Sequence, residues 1–180
     1  MELRLGNFAR SETLLKEVLQ TTEQFASDDY GIYSKGFAQY GLGDLEYERG
    51  NIRAAQEWYQ KALDTWQDPV RKDPVRHVSY ALNGLGFVAL KERRYEEAKQ
   101  FFLQGIESAE EFGRVDELAK GQLGLASVYL ETATDLKTAL VLVNESIESF
   151  QQQGMQYEIQ KAKVLQDEIL KTHPQILTSQ

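Results

Sequence analysis

Apolar residues recur along this chain at steps of three and four. Ile52, Ala55, Tyr59, Ala62 and Trp66 form one such stripe. Tyr95, Ala98, Phe102, Gly105, Ala109 and Phe112 form a second, and Leu136, Ala139, Val143, Ser146 and Phe150 a third. Steps of this size bring each set onto one face of an amphipathic helix. The chain opens with the same steps in Phe8, Ser11, Leu15, Val18, Thr22 and Phe25. Ahead of the three later stripes lie shorter apolar sets: Ala38, Leu42 and Leu45; Ala81, Leu85 and Val88; Gly121, Leu125 and Val128. These also have helical spacing, and strand-type alternation is absent. The pattern predicts helices over residues 8–26, 29–49, 52–66, 74–92, 95–112, 115–131, 136–152 and 155–171.

The punctuation agrees. Gly50, Gly113 and Gly154 sit where helices should stop. Asp73 before Pro74 reads as an N-cap followed by proline at the first helical position. Asp28 and Asp29 open another helix, and the doubled "DPVRKDPVR" of residues 68–76 makes a stiff connection.

"YGLGDL" at residues 40–45 returns as "NGLGFV" at 83–88 and as "LGLASV" at 123–128. A Gly-x-Gly that cradles phosphate needs a strand before it and a helix N-terminus after it. Here it lies inside a predicted helix and recurs with a period of 40 to 43 residues, which marks an internal repeat. Gly43, Gly86 and Ala126 are therefore read as close-packing positions, met from the partner helix by Ala55, Ala98 and Ala139. Leu42, Leu85, Leu125, Tyr59, Phe102 and Val143 fill the space around the contact.

Those residues carry a resemblance. Leu42, Gly43, Gly50, Ala55, Tyr59 and Ala62 resemble the tetratricopeptide repeat. Leu85, Gly86, Ala98 and Phe102 match in the next unit, with Arg93 in place of the turn glycine and Gly105 in place of the last alanine. Leu125, Ala126, Tyr129 and Ala139 match in the third, Val143 and Ser146 loosely. The resemblance implies an all-α, right-handed superhelical solenoid of antiparallel helix pairs. The usual period is about 34 residues, so helices or connections must be longer here. Extended repeats with "GLG" in the first helix resemble those in the arms of large bacterial signalling ATPases and transcription regulators, and in scaffold proteins. One domain over 1–171 is expected: a partial repeat at 1–27, repeats at 28–67, 74–113 and 114–153, and a capping helix at 155–171. A frayed tail follows at 172–180. The segment from Gly6 to Gln20 reads as the turn and second helix of a repeat whose first helix is missing.

In this family the first helix of each pair lines the concave side. Carried over residue by residue, the inward positions are Phe37, Tyr40, Asp44, Tyr47 and Glu48; then Tyr80, Asn83, Phe87, Leu90 and Lys91; then Lys120, Leu123, Ser127, Leu130 and Glu131. Tyr40, Asp44, Tyr47, Glu48, Tyr80, Asn83, Phe87, Lys91, Lys120, Ser127 and Glu131 are the candidate partner-binding residues. Their rings would give buried area, Asn83 could pair with a peptide backbone, and Asp44 and Glu48 beside Tyr47 suit an arginine or lysine of a partner. Packing between helices is the competing reading. It is favoured for Leu90, Leu123 and Leu130, and equally open for Tyr40, Tyr47 and Phe87. A clamp for a C-terminal carboxylate would have only Asn83, Lys91 and Lys120, and is incomplete.

Composition narrows the function classes. With 42% hydrophobic and 27% charged residues the chain reads as a folded soluble protein. Its net charge of −8 argues against a nucleic-acid partner. The absence of cysteine removes thiolate chemistry and cysteine-held metals and suits a cytoplasmic location. No apolar run is long enough for a membrane helix. His77 and His173 lie far apart and neither has a metal-spaced partner; His77 is expected as a surface or capping residue. No catalytic residue, metal or cofactor is expected. The sequence points to a non-catalytic module that binds a peptide or helix of a protein partner along its concave groove. The alternative is a regulatory segment of a larger signalling or transcription-regulatory protein, acting intramolecularly or by self-association. A homodimer would form through the unpaired helix at 8–26.

Overall fold

The computed structural model describes residues 8–22, 29–67 and 75–172. Eight α-helices and one 3-10 turn make up the described part, and no strand occurs there. In order they are α1 (Phe8–Thr22), α2 (Asp29–Glu48), α3 (Ile52–Trp66), the 3-10 turn Val75–His77, α4 (Val78–Lys91), α5 (Tyr95–Glu111), α6 (Val115–Glu131), α7 (Leu136–Gln152) and α8 (Gln156–Thr172). The expected helices are all present. The one over 74–92 begins later, because the chain first takes the tighter 3-10 turn. Asp28, Asp73, Pro74 and His173 lie outside the described residues, as do 23–28, the linker at 68–74 and the tail at 173–180.

Adjacent helices pack in sequence, and α4 also touches both α2 and α6. The solenoid therefore has an inner layer of first helices, with α8 extending it, and an outer layer of α3, α5 and α7. Short turns join α2 to α3, and α4 through α8 to one another. In each turn one residue takes the left-handed conformation: Gly50 (φ 82°), Arg93 (φ 60°), Gly113 (φ 65°), Ala133 (φ 48°) and Gly154 (φ 69°). The backbone N–H of the following residue reaches back to the last helical turn, as Asn51 does to Glu46 at 2.9 Å and Arg94 to Ala89 at 2.8 Å. This satisfies carbonyls that a helix end would otherwise leave open.

The repeated glycines explain how two layers sit so close. The Tyr59 ring of α3 lies between Gly43 of α2 and Gly84 of α4; a Cβ added to either would come within 2.5 and 2.7 Å of it. Phe102 of α5 lies in the same way between Gly86 of α4 and Gly124 of α6, at 2.6 and 2.2 Å. The second glycine of each motif thus receives the ring of its own repeat, and the first receives the ring of the repeat before. Leu15 of α1 plays that part against Gly41, at 2.9 Å. α1 therefore packs as the outer helix of a preceding repeat, in keeping with the stripe it shares with α3. Arg49 ties the two helices together through Glu12, at 2.8 Å.

The core is a continuous band of apolar side chains between the layers. Leu42, Leu45, Trp66, Leu85, Val88, Phe102, Val143, Phe150 and Ile169 are the large ones excluded from solvent.

Candidate functional site: the concave cavity

The inner layer encloses a cavity of about 550 Å³. Tyr40, Asp44, Tyr47 and Glu48 reach it from α2, Asn83, Gly84 and Phe87 from α4, and Glu117, Lys120 and Leu123 from α6. Tyr157, Glu158 and Lys161 of α8 close the far side, and Phe8, Tyr59 and Phe150 add apolar surface. Positions four or seven apart on one helix share a face, and that spacing is what aims Tyr40, Asp44, Tyr47 and Glu48 inward together.

At the floor, Tyr59 donates its hydroxyl hydrogen bond to Asp44 Oδ1 at 2.8 Å. Tyr40 bonds the same carboxyl, and its ring lies 5.7 Å from that of Tyr59. Burial pushes the Asp44 carboxyl up to about 6; the tyrosine hydroxyls and Lys120 pull the other way without overcoming it. Burial, then the Asp44 charge, drives both phenols well above their ordinary range. Tyr47, half-buried, is raised by burial and by Glu48.

One wall is a charged network. Asn83 is 2% exposed and donates from Nδ2 to the Glu117 carbonyl and to Glu117 Oε2, both at 2.9 Å. Glu117 is fully buried and ion-paired with Lys120 one helical turn on. Burial opposes the charge on Lys120, but Glu117, Asp44 and Asp116 outweigh it and its pKa rises. The Lys120 ammonium stands 5.6 Å from the Tyr80 ring centre. Asn83 Oδ1, turned toward Gly105 and Gly121, accepts nothing.

At the mouth, Lys161 of α8 reaches Glu48 of α2 at 3.8 Å, across the opening. Its ammonium also lies 4.4 Å from the Tyr157 ring centre.

The cavity gathers seven of the eleven candidate residues: Tyr40, Asp44, Tyr47, Glu48, Asn83, Phe87 and Lys120. It leaves four outside its lining. Tyr80 lies behind it, donating to Asp116 Oδ2 at 3.2 Å and raised to about 12 by burial and by Asp116. Ser127 donates back to Leu123 of its own helix at 2.9 Å. Glu131 accepts from the Tyr95 hydroxyl at 3.2 Å, and Lys91 points to solvent. Leu123, read as a packing residue, is 9% exposed and also lines the cavity. Sequence reasoning missed Glu117 and the α8 residues. Glu117 sits one turn before Lys120 on the inward face, so its spacing could have exposed it. The sequence of α8 reads as a cap, and nothing in its composition shows that it turns a face into the cavity.

His77 corrects the expectation of a surface or capping residue. It stands at the start of α4 but makes no side-chain cap. Its ring lies 4.7 Å from Phe37, 5.2 Å from Tyr33 and 5.7 Å from Trp66. The Arg114 guanidinium approaches it at 3.3 Å. Burial first, then Arg114 and Arg76, lower its pKa to about 4. His77 and Phe37 thus belong to an aromatic cluster of α2, α3 and α4, beside the cavity and outside its lining.

Among the described residues no group of three or more His, Asp or Glu side chains is placed to hold a metal ion. No described helix is long and apolar enough to cross a membrane.

Stacked helix pairs with this period and glycine packing define a helical-repeat solenoid. Residues 79–112, which take in α5 and all of α4 but its first residue, match the family model for the tetratricopeptide repeat. That repeat is in general a non-catalytic protein-interaction module. No curated protein matches the chain. Among solved structures it is similar to BtubC (BKLC) from P. vanneervenii, with a TM-score of 0.66 and 19% sequence identity over 95% of this chain and 72% of that one. That likeness is one of fold.

Proposed function

We propose that this chain is a non-catalytic binding module whose concave cavity receives a peptide, or one face of a helix, from a protein partner. One observation carries the reading. The cavity is lined from seven of the eight helices and combines aromatic walls with a few fixed polar groups, the make-up of a recognition pocket. Tyr47 and Phe87 offer apolar surface, and Asn83, Glu117 and Lys120 are locked by their own bonds and lose little freedom when a ligand arrives. The test is selection of a random 12-residue peptide library on the folded chain, beside a Tyr47→Ala/Phe87→Ala variant shown to be helical by circular dichroism. Peptides enriched on the parent and not on the variant support the cavity. Equal enrichment on both moves the binding surface elsewhere.

A second reading rests on α1. In the repeat register Val18 corresponds to Ala62, Gly105 and Ser146, which are all buried. Val18 is 38% exposed and Leu14 46%. α1 thus presents an apolar strip where the other outer helices are covered. On this reading the strip pairs with a second copy or with another segment of a larger regulatory protein. Light scattering of the parent and of a Leu14→Ser/Val18→Ser variant at high concentration tests the first form; a monomeric parent removes it.

A further inference from the structure

We infer that the anchor of the cavity is one lysine or arginine side chain of the partner, its cationic head on Asp44 and its aliphatic stem against Tyr47 and Phe87. This rests on the reading of the cavity as the binding surface. The lining brings four carboxylates, Asp44, Glu48, Glu117 and Glu158, against two ammonium groups, Lys120 and Lys161. The cations are already engaged. Lys120 is held by Glu117 in the wall, and Lys161 lies on Glu48 at the mouth.

Asp44 is different. Its bonds are to the tyrosine hydroxyls of Tyr59 and Tyr40, and it forms no ion pair among the described residues. A carboxylate has about four acceptor sites, so two phenols leave room for a further donor. A half-buried carboxylate whose nearby cation, Lys120, is already paired with Glu117 is incompletely compensated. A cation arriving from a partner relieves it. An acidic side chain would add repulsion, and a purely apolar one would bury Asp44 further without pairing it.

The surrounding rings suit the same occupant. Tyr40, Tyr47 and Phe87 line the cavity, and aromatic faces attract ammonium and guanidinium groups. Their apolar faces also take the methylene stem that lysine and arginine carry. The protein already places its own cations this way: Lys120 stands over Tyr80 and Lys161 over Tyr157. Lys161 marks how a cation enters the mouth, and Asp44 is the deeper site it does not reach.

The test extends the library selection, read at pH 7.5. An enriched peptide is synthesised with its basic residue intact and again with norleucine for lysine or citrulline for arginine. Both are titrated into the parent and into Asp44→Asn, which keeps an acceptor for Tyr59. The expected result is one shared basic position among enriched peptides, with at least a tenfold loss of affinity from either change. Cavity peptides without a basic residue, or undiminished binding to Asp44→Asn, overturn the cationic anchor and leave the peptide-binding reading standing. Failure of any sequence to enrich overturns both.

Discussion

Gly84→Ala is a small change with a sign that depends on the packing described above. In a solvent-exposed helix, alanine for glycine adds up to about 1 kcal/mol of stability. At this position the new Cβ would meet Tyr59 Cδ1 and Cε1 at 2.7 Å, and Cγ at 2.9 Å. Ordinary contact begins at 3.4 Å, so the ring must retreat by about 0.7 Å. It has nowhere to go. Gly43 lies against its other face, where an added Cβ would stand only 2.5 Å away, and its hydroxyl is held by Asp44 at 2.8 Å. Overpacking of this kind costs about 1–3 kcal/mol. Set against the full propensity gain, the net effect is a loss of up to about 2 kcal/mol. Urea unfolding followed by circular dichroism reads it as a lower midpoint at unchanged slope. In a Tyr59→Ala background the clash is gone, and the same substitution should become neutral or stabilising. A higher midpoint for Gly84→Ala in the parent would refute the ring-between-glycines packing on which the two layers depend.

Ala133→Gly should raise stability by about 1 kcal/mol, because a φ of 48° is strained for alanine and not for glycine; Gly50→Ala, at φ 82° with open space around it, should lose a similar amount by the same urea assay. The carboxyl carbon of Asp44 should titrate near pH 6 by NMR; the groups facing it are Tyr40 and Glu48 on α2, Tyr59 on α3, and Glu117 and Lys120 on α6. Its folded-state value lies above the unfolded one near 3.9, so the native state holds the extra proton and stability falls as pH rises from about 4 through 6. Asp44→Asn should therefore be more stable than the parent at pH 7.5, by about 1–2 kcal/mol after allowance for its partial contact with water, and show no such gain at pH 4. Binding of a basic peptide should run the opposite way and strengthen over the same interval, as the carboxylate ionises. The His77 ring should remain neutral at pH 5 by its carbon-bound proton shifts, and a midpoint near 6.5 would dissolve the buried aromatic setting. Lys161→Ala should change stability by less than about 0.5 kcal/mol, since its pair with Glu48 is long and half exposed.

Much of the fold was legible because the helical stripes repeat, and a repeated pattern is hard to mistake for chance. Ala55, Ala98 and Ala139 were read as contact positions and each is fully buried. Gly43 and Gly86 were read as sites of close approach, and each lies against the ring of its own repeat. The roles of Gly84 and Gly124 were harder to see, since they face a ring some 20 or more residues earlier in the chain, in the preceding repeat. The inward residues of α2 and α4 were implied by the resemblance to the tetratricopeptide repeat, which says which helix of each pair faces inward, and helix spacing then groups them on one face. Tyr80 and Lys91 share that face by spacing, but the Tyr80 ring packs on Phe37, Tyr40 and Trp66 with its hydroxyl on Asp116, and Lys91 at the end of α4 is exposed. Curvature is a sum of small rotations between repeats, and no single residue encodes it. For the same reason α8 read as a cap, although the bend of the array brings Lys161 to Glu48 from a helix more than a hundred residues away. His77 was misread because its neighbours, Tyr33, Phe37 and Trp66, come from helices across the 68–74 linker.

The measurement that goes straight to the concave cavity is an amide NMR map of the isotope-labelled chain, titrated with a peptide from the library selection. Binding in the cavity predicts saturable shifts clustered at residues 40–48, 83–87, 117–123 and 157–161, with the amide of Asp44 among the largest. Shifts confined to the outer helices α3, α5 and α7, around Leu103 and Val141, would contradict it and place recognition on the convex side.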